Sequence, residues 1–256
     1  MFRNAIVRPP SANFDEGLTT VYLGTPIYDK ALEQHARYCE ALQQCGLALT
    51  RLEADLRYPD STFVEDVAIL TKCSATLTHP GAPSRQGEVE SIQETLARFY
   101  SSFHTVTSPG TLDGGDICEV GDHFFIGISE RTNEAGARQL AGYLAQEGYT
   151  STFVDIRGIK GVLHLKSGIA YLGDNRLVLI DLLAEHAAFR GYDIVRVEPD
   201  EAYAANCVRV NEHVLFAAGH PRLQDAIRHL GYSVIALDMS EFQKMDGGLS
   251  CLSLRF

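Results

Sequence analysis

Residues 168–180 read GIAYLGDNRLVLI, two apolar runs joined at Asp174-Asn175. Apolar runs on either side of two residues that tolerate a positive φ predict a β-hairpin with a two-residue turn. A second stretch of this kind, CVRVNEHVLFAAG at 207–219, turns at Asn211-Glu212. Because a purely parallel sheet has no adjacent antiparallel strands, these hairpins argue against a doubly wound fold with single strands between helices.

Five segments with helical periodicity lie between the strand-like runs. They are residues 28–46, 88–100, 133–148, 182–191 and 221–231. Glycine follows four of these segments, as is typical of a helix C-terminus. These glycines are Gly46, Gly148, Gly191 and Gly231. The helical segments recur at intervals of roughly 40–55 residues, which is a spacing typical of repeated structural units.

Each repeated unit is expected to carry a strand, a hairpin, a helix and a further strand. Five such units would close a ring of small mixed sheets, and this α/β arrangement is the predicted fold. No Pro/Gly/Ser-rich linker divides the 256 residues, so we expect a single domain that spans 1–256. No GxGxxG motif opens a helix, which argues against a Rossmann dinucleotide site.

The composition excludes several classes of function. A net charge of −11 argues against nucleic acid and anionic membranes as partners and permits a cationic ligand. No apolar run reaches the ~18 residues of a membrane helix, and the N-terminus has no signal peptide pattern. The six cysteines are scattered without zinc-site spacing, so we expect reduced thiols in a cytoplasmic protein and no metal.

Two pairs of acids interrupt the apolar runs. Glu65 and Asp66 precede a strand-like run at 67–78, and in a regular strand they would point to opposite faces. One of them would then face a buried side and need a partner. Asp113 and Asp116 flank a glycine pair in TLDGGDICEVGDHFFIG (111–127), although Asp-Gly by itself most often marks only a turn.

A histidine and a cysteine stand in similar surroundings. His164 lies among apolar residues in GVLHLKSG (161–168), where a lone histidine is more often a satisfied core residue than a catalyst. A carboxylate beside it would favour its charged form. Cys251, in KMDGGLSCLSLRF (244–256), follows a glycine pair and by itself could be a buried strand residue. Together with the acids these residues form a set suited to nucleophilic catalysis on a cationic group such as guanidinium.

Several segments, in one order along nearly the whole chain, are typical of one enzyme family. They are PDSTFVEDVAILT (59–71), HPGAPSRQGEVE (79–90), TLDGGDICEVGDHFFIGISERTNEAGA (111–137), LHLKSGIAYL (163–172), YAANCVRVNEHVL (203–215) and KMDGGLSCLSL (244–254). The sequence resembles the dimethylarginine dimethylaminohydrolases of short bacterial type, members of the guanidine-modifying, or pentein, superfamily. The resemblance implies a five-bladed α/β-propeller of ββαβ-type repeats with pseudo-fivefold symmetry.

The resemblance assigns the catalytic roles. Cys251 would be the nucleophile, His164 the general acid/base and Asp113 the acid that orients His164. Bacterial members of the family can carry Glu at the position of Asp113, so the shorter side chain must be offset by the placement of the backbone.

Further positions are implied to bind the substrate. Asp66 would hold the guanidinium with Glu65 in support, and Arg85 and Arg131 would clamp the α-carboxylate. The α-amino group would meet Asp60 and the backbone carbonyls of two residues. These are Leu18 and Met245, and Asp246 beside Met245 belongs to the same implied subsite.

The implied reaction is hydrolysis of Nω,Nω-dimethylarginine or Nω-monomethylarginine to citrulline plus dimethylamine or methylamine, through a covalent Cys251 adduct and without a cofactor. The implied partner is this small-molecule substrate, and an exposed sheet edge would allow a homodimer. Two alternatives remain. One is a deiminase acting on arginine or on agmatine, although agmatine has no carboxylate for Arg85 and Arg131. The other is a non-catalytic ligand-binding module on the same fold.

Overall fold

The computed structural model describes all 256 residues and divides them into two compact units. Unit 1 comprises residues 1–64 and 197–256, and unit 2 comprises residues 65–196. None of the helices combines the length and the apolar composition that crossing a bilayer would require. The expectation of one catalytic domain over 1–256 stays a prediction.

The regular elements are short. The strands are β1 (Asn4–Val7), β2 (Ala48–Arg51), β3 (Ala68–Leu70), β4 (Ala75–Leu77), β5 (Phe103–Thr105), β6 (Ile117–Val120), β7 (His123–Ile128), β8 (Thr150–Asp155), β9 (Ile169–Gly173), β10 (Arg176–Ile180), β11 (Asp193–Val197), β12 (Val208–Val210), β13 (His213–Ala217), β14 (Ser233–Leu237) and β15 (Leu254–Arg255). The helices are α1 (Tyr28–Gln44), α2 (Val89–Leu96), α3 (Glu134–Gln146), α4 (Asp181–Ala184), α5 (Pro221–His229) and α6 (Ser240–Gln243).

The strands form five separate three-stranded sheets. Their strand orders are β15-β1-β2, β3-β4-β5, β6-β7-β8, β9-β10-β11 and β12-β13-β14. In four of them the middle strand pairs antiparallel with one neighbour and parallel with the other, which is the pattern of a ββαβ unit. The five sheets of this strand order confirm the predicted α/β fold class with five repeated units.

The local turn signals act as predicted. Asp174 and Asn175 both have positive φ values, 50° and 60°, and join β9 to β10. Asn211, between β12 and β13, has a φ of 55°. The four glycines that follow the helical segments all have φ between 87° and 94°. One helix prediction is wrong in extent, because residues 182–191 form only the single turn α4 and a 3-10 turn, Ala187–Phe189.

Each of the two compact units, unit 1 and unit 2, has its own apolar core. In unit 1 the buried face of α1 carries Ala31, Tyr38 and Leu42 at helical spacing. Unit 1 also buries three aromatic rings, of Phe14, Phe63 and Phe242, with centroids 5.5 to 6.3 Å apart. In unit 2, α3 packs Leu140 and Leu144 in the same cluster as β7. These cores fix the short turns in which the polar residues lie.

Candidate active site

Several of the predicted site residues lie in 3-10 turns or directly before one, and none of them lies in a strand. Glu65 and Asp66 belong to the turn Val64–Val67, so the strand alternation expected for them is wrong and both side chains are buried. Asp113 and His164 each directly precede a 3-10 turn, and Cys251 lies within one. A tight turn brings the backbone of consecutive residues into close range, so neighbouring side chains can converge on one point.

In unit 2, His164 and Asp113 form a buried pair. The His164 Nε2 atom lies 3.1 Å from Asp113 Oδ2, and Asp113 Oδ1 accepts a hydrogen bond of 2.8 Å from the Gly81 backbone N–H. Burial alone would lower the pKa of His164. The charge of Asp66, the hydrogen bond that the imidazole donates to Asp113 and the charge of Asp116 outweigh burial and raise this pKa to about 9. The imidazole is therefore a cation at neutral pH and can donate a proton.

Asp66 lies beside this histidine with both carboxylate oxygens engaged. Arg85 Nη1 donates to Asp66 Oδ2 over 2.6 Å, and the Gly115 backbone N–H donates to Asp66 Oδ1 over 2.8 Å. Burial favours the neutral acid, but the charges of Arg85 and His164 outweigh it and lower the pKa of Asp66 to about 2. The carboxylate is thus an anion over the whole physiological range and can attract a cationic group.

The glycine pair of the DGGD turn is required by packing. A Cβ atom on Gly115 would lie 2.7 Å from His164 Nδ1 and 3.0 Å from Asp66 Oδ1. Either distance is shorter than an ordinary van der Waals contact. Only a residue without a side chain lets the backbone N–H of Gly115 reach Asp66 while the imidazole lies alongside.

Arg85 is held by two buried carboxylates. Besides its 2.6 Å ion pair with Asp66, its guanidinium donates from Nε and Nη2 to the Glu88 carboxylate over 3.0 and 2.8 Å. The side chains of all three residues are at most 6% exposed. Burial opposes its charge, but Glu88 and Asp66 raise the pKa of Arg85 far above its ordinary value. Arg85 therefore has a structural role that the sequence did not predict, which is to neutralise two buried carboxylates.

Replacing Arg85 with alanine is expected to lower the free energy of unfolding by about 3 to 5 kcal/mol, because Asp66 and Glu88 would stay buried without their cation. Thermal or urea denaturation measures this loss. Arg37→Ala is the matched control, since Arg37 forms an i,i+3 pair with Glu40 whose side chains are 65% and 62% exposed. Its loss should cost below about 1 kcal/mol. Equal stability losses in the two variants would contradict the stabilising role assigned to Arg85.

Glu65 forms a further ion pair of this cluster, with Lys166. Lys166 Nζ lies 2.6 Å from Glu65 Oε1, and the two side chains are 15% and 6% exposed. Lys166 is two residues after His164, so the 3-10 turn Leu165–Ser167 carries a second cation close to the histidine. Lys166 thus neutralises Glu65, while the adjacent acid, Asp66, is paired with Arg85.

In unit 1, an asparagine holds the turn that carries Cys251. The Ser250 backbone N–H donates to Asn206 Oδ1 over 2.9 Å, and Asn206 Nδ2 donates to Ser250 Oγ over 3.0 Å. A Cβ atom on Gly248 would lie only 2.4 Å from Asn206 Oδ1, so this glycine admits the asparagine side chain. The Cys251 side chain is half-buried. None of the six cysteines is in a disulfide. The thiol is therefore held on a braced turn within reach of solvent.

The loop around Leu18 is tied to two acids of unit 1. The Leu18 backbone N–H donates to both oxygens of the Asp60 carboxylate, over 3.0 and 3.2 Å. The Thr20 backbone N–H donates to the Asp246 carboxylate, and Asp246 itself has a φ of 56°. Met245, next to it, is buried. The structure thus ties the loop at residues 18–20 to Asp60 and Asp246, and the α-amino subsite stays a prediction.

Arg131 differs from Arg85 in its surroundings. Its backbone N–H donates to Ser129 Oγ over 3.0 Å, while its guanidinium has no hydrogen bond or ion pair within the protein. The residue is half-buried and follows the end of β7. A fixed backbone with a guanidinium that no protein group neutralises is suited to binding an external anion such as a carboxylate.

Three donor atoms of unit 2 lie close enough to be tested as a metal site. One oxygen each of Asp66 and Asp113 and a ring nitrogen of His164 lie within 4.8 Å of one another. Asp66 is already bound by Arg85 and a backbone N–H, and Asp113 by His164 and a backbone N–H. These donors therefore form a hydrogen-bonded network around a protonated imidazole, which does not fit the demands of a metal centre.

The structure brings the predicted residues into two groups. In unit 2, Glu65, Asp66, Arg85 and Asp113 are clustered with His164, and in unit 1 the Leu18 loop lies on Asp60 and Asp246. The expectation that Cys251 and His164 act in one cavity stays a prediction. Sequence reasoning missed four residues that hold these groups in place. They are Glu88, Asp116, Lys166 and Asn206, and only Asp116 carried a signal, as the second acid of the DGGD turn.

Comparison with known proteins assigns the family. A family model described as arginine deiminase matches residues 58–195. An N(G),N(G)-dimethylarginine dimethylaminohydrolase from Pseudomonas aeruginosa is 47% identical over 257 aligned residues, which cover 100% of both proteins. The chain belongs to the dimethylarginine dimethylaminohydrolase family. A dimethylarginine dimethylaminohydrolase from Streptomyces coelicolor is 34% identical and covers 99% of this chain and 96% of its own length.

Solved structures of the family agree with the fold. A dimethylarginine dimethylaminohydrolase crystal structure, an adduct with S-methyl-L-thiocitrulline, has a TM-score of 0.97 at 47% identity over 100% of both chains. A Pseudomonas aeruginosa structure in complex with citrulline has the same TM-score, identity and coverage. The N-terminal domain of an arginine dihydrolase from cyanobacteria has a TM-score of 0.86 at 17% identity, covering 98% of this chain and 97% of that one, which shows the shared fold alone.

Proposed function

We propose that this chain hydrolyses Nω,Nω-dimethylarginine and Nω-monomethylarginine to citrulline, with release of dimethylamine or methylamine. The observation that carries the proposal is the 47% identity, over the full length of both proteins, to the Pseudomonas aeruginosa protein named N(G),N(G)-dimethylarginine dimethylaminohydrolase. The electrostatics of unit 2 support it independently. An anionic Asp66 beside a cationic His164 provides an acceptor for a guanidinium and a donor for the amine that leaves.

The first half of the reaction forms a covalent adduct. The Cys251 thiolate attacks the guanidinium carbon of the substrate, and a carbon–sulfur bond forms. Protonated His164 then gives its proton to the departing nitrogen, and the carbon–nitrogen bond to dimethylamine breaks. Because Asp113 accepts from Nε2, Nδ1 of His164 is the nitrogen assigned to this transfer. The adduct that remains is an S-alkylthiouronium.

The second half releases citrulline. Neutral His164 takes a proton from a water molecule, which attacks the thiouronium carbon. The tetrahedral intermediate collapses, the carbon–sulfur bond breaks and the thiolate of Cys251 is regenerated. The oxygen of the water becomes the ureido oxygen of citrulline. The charge of Asp113 favours the imidazolium that forms in this step.

The remaining roles belong to substrate binding. Asp66 binds the guanidinium, with Glu65 held beside it by Lys166. Asp60, Asp246 and the backbone carbonyls of Leu18 and Met245 bind the α-amino group.

Arg131 is proposed as the main clamp of the α-carboxylate. Arg85, which two buried carboxylates already hold, supports it through its charge. The division of labour follows from the difference in their protein partners, because a guanidinium without a protein carboxylate has more capacity for a ligand carboxylate.

A product assay tests the function. Purified protein is incubated separately with asymmetric dimethylarginine, monomethylarginine, arginine and agmatine, and both citrulline and the released amine are quantified. We expect dimethylamine and methylamine from the methylated substrates. The kcat/KM values for these reactions should be far above those for ammonia release from arginine or agmatine. Faster release of ammonia from arginine or agmatine would favour the deiminase alternative, and no release from any of the four would favour a binding module.

Replacing Arg131 with alanine is expected to raise KM about 10- to 100-fold, which corresponds to the loss of a charge-assisted hydrogen-bonded pair. The value of kcat should change little, because the α-carboxylate takes no part in the chemistry. Steady-state kinetics on dimethylarginine measure both constants. Arg138→Ala, an exposed arginine of α3, is the control and should leave KM unchanged. An unchanged KM in the Arg131 variant would place the clamp elsewhere.

We further propose a cytoplasmic enzyme that acts on a small molecule and binds neither nucleic acid nor anionic membranes. Six free thiols and a net charge of −11 support this proposal. A homodimer through the largely exposed edge strand β8 is part of the same proposal. Sedimentation at several protein concentrations measures the oligomeric state, and a monomer at every concentration would contradict the dimer.

A further inference from the structure

Asp116 is a fully buried carboxylate that the proposed chemistry does not use. It ends the DGGD turn three residues after Asp113, with 0% of its surface exposed. Its Oδ1 atom accepts a hydrogen bond of 2.9 Å from the backbone N–H of Leu165, the residue that follows His164. Its Oδ2 atom accepts a hydrogen bond of 2.7 Å from Ser129 Oγ. A buried charge of this kind destabilises the fold unless hydrogen bonds or opposite charges compensate for the loss of its hydration.

The hydrogen bonds continue from Ser129 to two other site residues. Ser129 Oγ accepts from the backbone N–H groups of Arg131 and Thr132, each over 3.0 Å. Thr132 Oγ1 in turn accepts from the backbone N–H of Asp113 over 3.1 Å. One carboxylate thus connects the segment next to His164 with the turn that carries Arg131 and the backbone of Asp113.

Asp116 also contributes to the charge around the imidazole. The largest charges that act on His164 are those of Asp66, Asp113 and Asp116; Arg85 is paired with Asp66, and Lys166, two residues after His164, is paired with Glu65. Burial raises the pKa of Asp116 to about 6, against the charge of His164 and the hydrogen bonds from Ser129 and Thr132. At neutral pH the carboxylate is therefore mostly ionised, and its charge favours the cationic imidazole.

We propose that Asp116 is a positioning residue, whose carboxylate holds the chain next to His164 and the turn of Arg131 and places a third negative charge beside the imidazole. The proposal rests on the proposed function for its catalytic meaning. Its geometric part depends only on contacts within unit 2. Asp116 acts through His164 and Arg131 and contacts no reacting atom in this scheme.

Asp116→Asn is the first test, because asparagine keeps the shape of the side chain and an acceptor for Leu165 while it removes the charge. The pH titration of His164 by NMR should shift downwards by about one pH unit, since a favourable negative charge is lost. The resonance is assigned by its absence from the spectrum of His164→Ala, among the nine histidines of the chain. The alkaline limb of kcat against pH should shift in the same direction.

A second variant and a control complete the design. Ser129→Ala removes one donor to Asp116 and the acceptor of the Arg131 N–H, so we expect a smaller downward shift for His164 together with a raised KM. Circular dichroism and thermal denaturation establish whether each variant folds. If Asp116→Asn does not fold, the His164 titration of Ser129→Ala tests the positioning role of Asp116. Asp122→Asn, an exposed acid of the same β6–β7 hairpin, should leave the His164 titration unchanged.

The outcomes separate the positioning role from the enzymatic proposal. A His164 titration that is the same as in the wild type, in either folded variant, would overturn the role of Asp116. The NMR measurement needs no substrate, so it gives its answer even if the protein released no amine from methylarginine. Conversely, an active enzyme with an unshifted His164 would leave the proposed function intact and reject only the positioning role.

Discussion

Serine in place of Cys251 should abolish turnover of dimethylarginine, with a loss on the order of 10⁴-fold or more. The reaction needs a thiolate to attack a poorly electrophilic carbon, and a serine hydroxyl ionises far less readily at neutral pH than a thiol. The fold should be retained, because Asn206 holds the turn Ser250–Leu252 through the backbone N–H and the hydroxyl of Ser250, and the substitution leaves both in place. Citrulline and dimethylamine release under saturating substrate measure the loss.

Cys73→Ser is the matched control for this experiment. Cys73 is the exposed member of the six free cysteines, so it shares the chemistry of Cys251 without the braced turn. Its replacement should leave kcat unchanged. Mass spectrometry after treatment with a thiol-alkylating arginine analogue adds an independent readout, and Cys251 should carry the label. Retained turnover in Cys251→Ser would exclude this thiol as the nucleophile.

Replacing His164 with alanine is expected to lower kcat by about 10²- to 10⁴-fold, the usual contribution of a general acid or base. The leaving amine would lack its proton donor, and water would lack its base. KM should change less than kcat, because the groups proposed to bind the α-amino and α-carboxylate groups stay in place. Single-turnover kinetics with mass spectrometry separate amine release from hydrolysis of the adduct.

His229→Ala serves as the control for the histidine variant. His229 is exposed in the last turn of α5, and its loss should leave kcat unchanged. Added imidazole should restore part of the activity of His164→Ala by taking over the proton transfer. An amine release rate equal to that of the wild type in His164→Ala would remove the acid/base role from this residue.

The repeated fold could be predicted because its signals are local. Asp174-Asn175 tolerates the positive φ that a two-residue hairpin turn needs, and the glycines after the helices do the same for helix ends. The 3-10 turns were missed, since the strand period was extended through Glu65-Asp66. Their cause lies in contacts between distant parts of the chain, such as the approach of Gly114 to the Glu65 backbone, which no local pattern announces.

The proximity of Asp113 to His164 could be predicted, but the residues that hold the predicted side chains in place could not. Asp113 and His164 were paired through the family resemblance, and the structure places them 3.1 Å apart. Glu88 lies three residues after Arg85, which becomes a contact only once that segment is known to be a 3-10 turn. The Lys166–Glu65 and Asn206–Ser250 contacts join residues 101 and 44 positions apart, and nothing in either segment identifies the other.

The pairing of β1 with β15 has a consequence for biosynthesis. Ala5 and Ile6 lie opposite Arg255 and Leu254, so this sheet lacks one strand until residues 254–255 have been synthesised. Residues 65–196 form a contiguous unit and can become compact while the ribosome is still translating. The turn that carries Cys251, Ser250–Leu252, comes directly before β15, so it is synthesised only after the whole of residues 65–196.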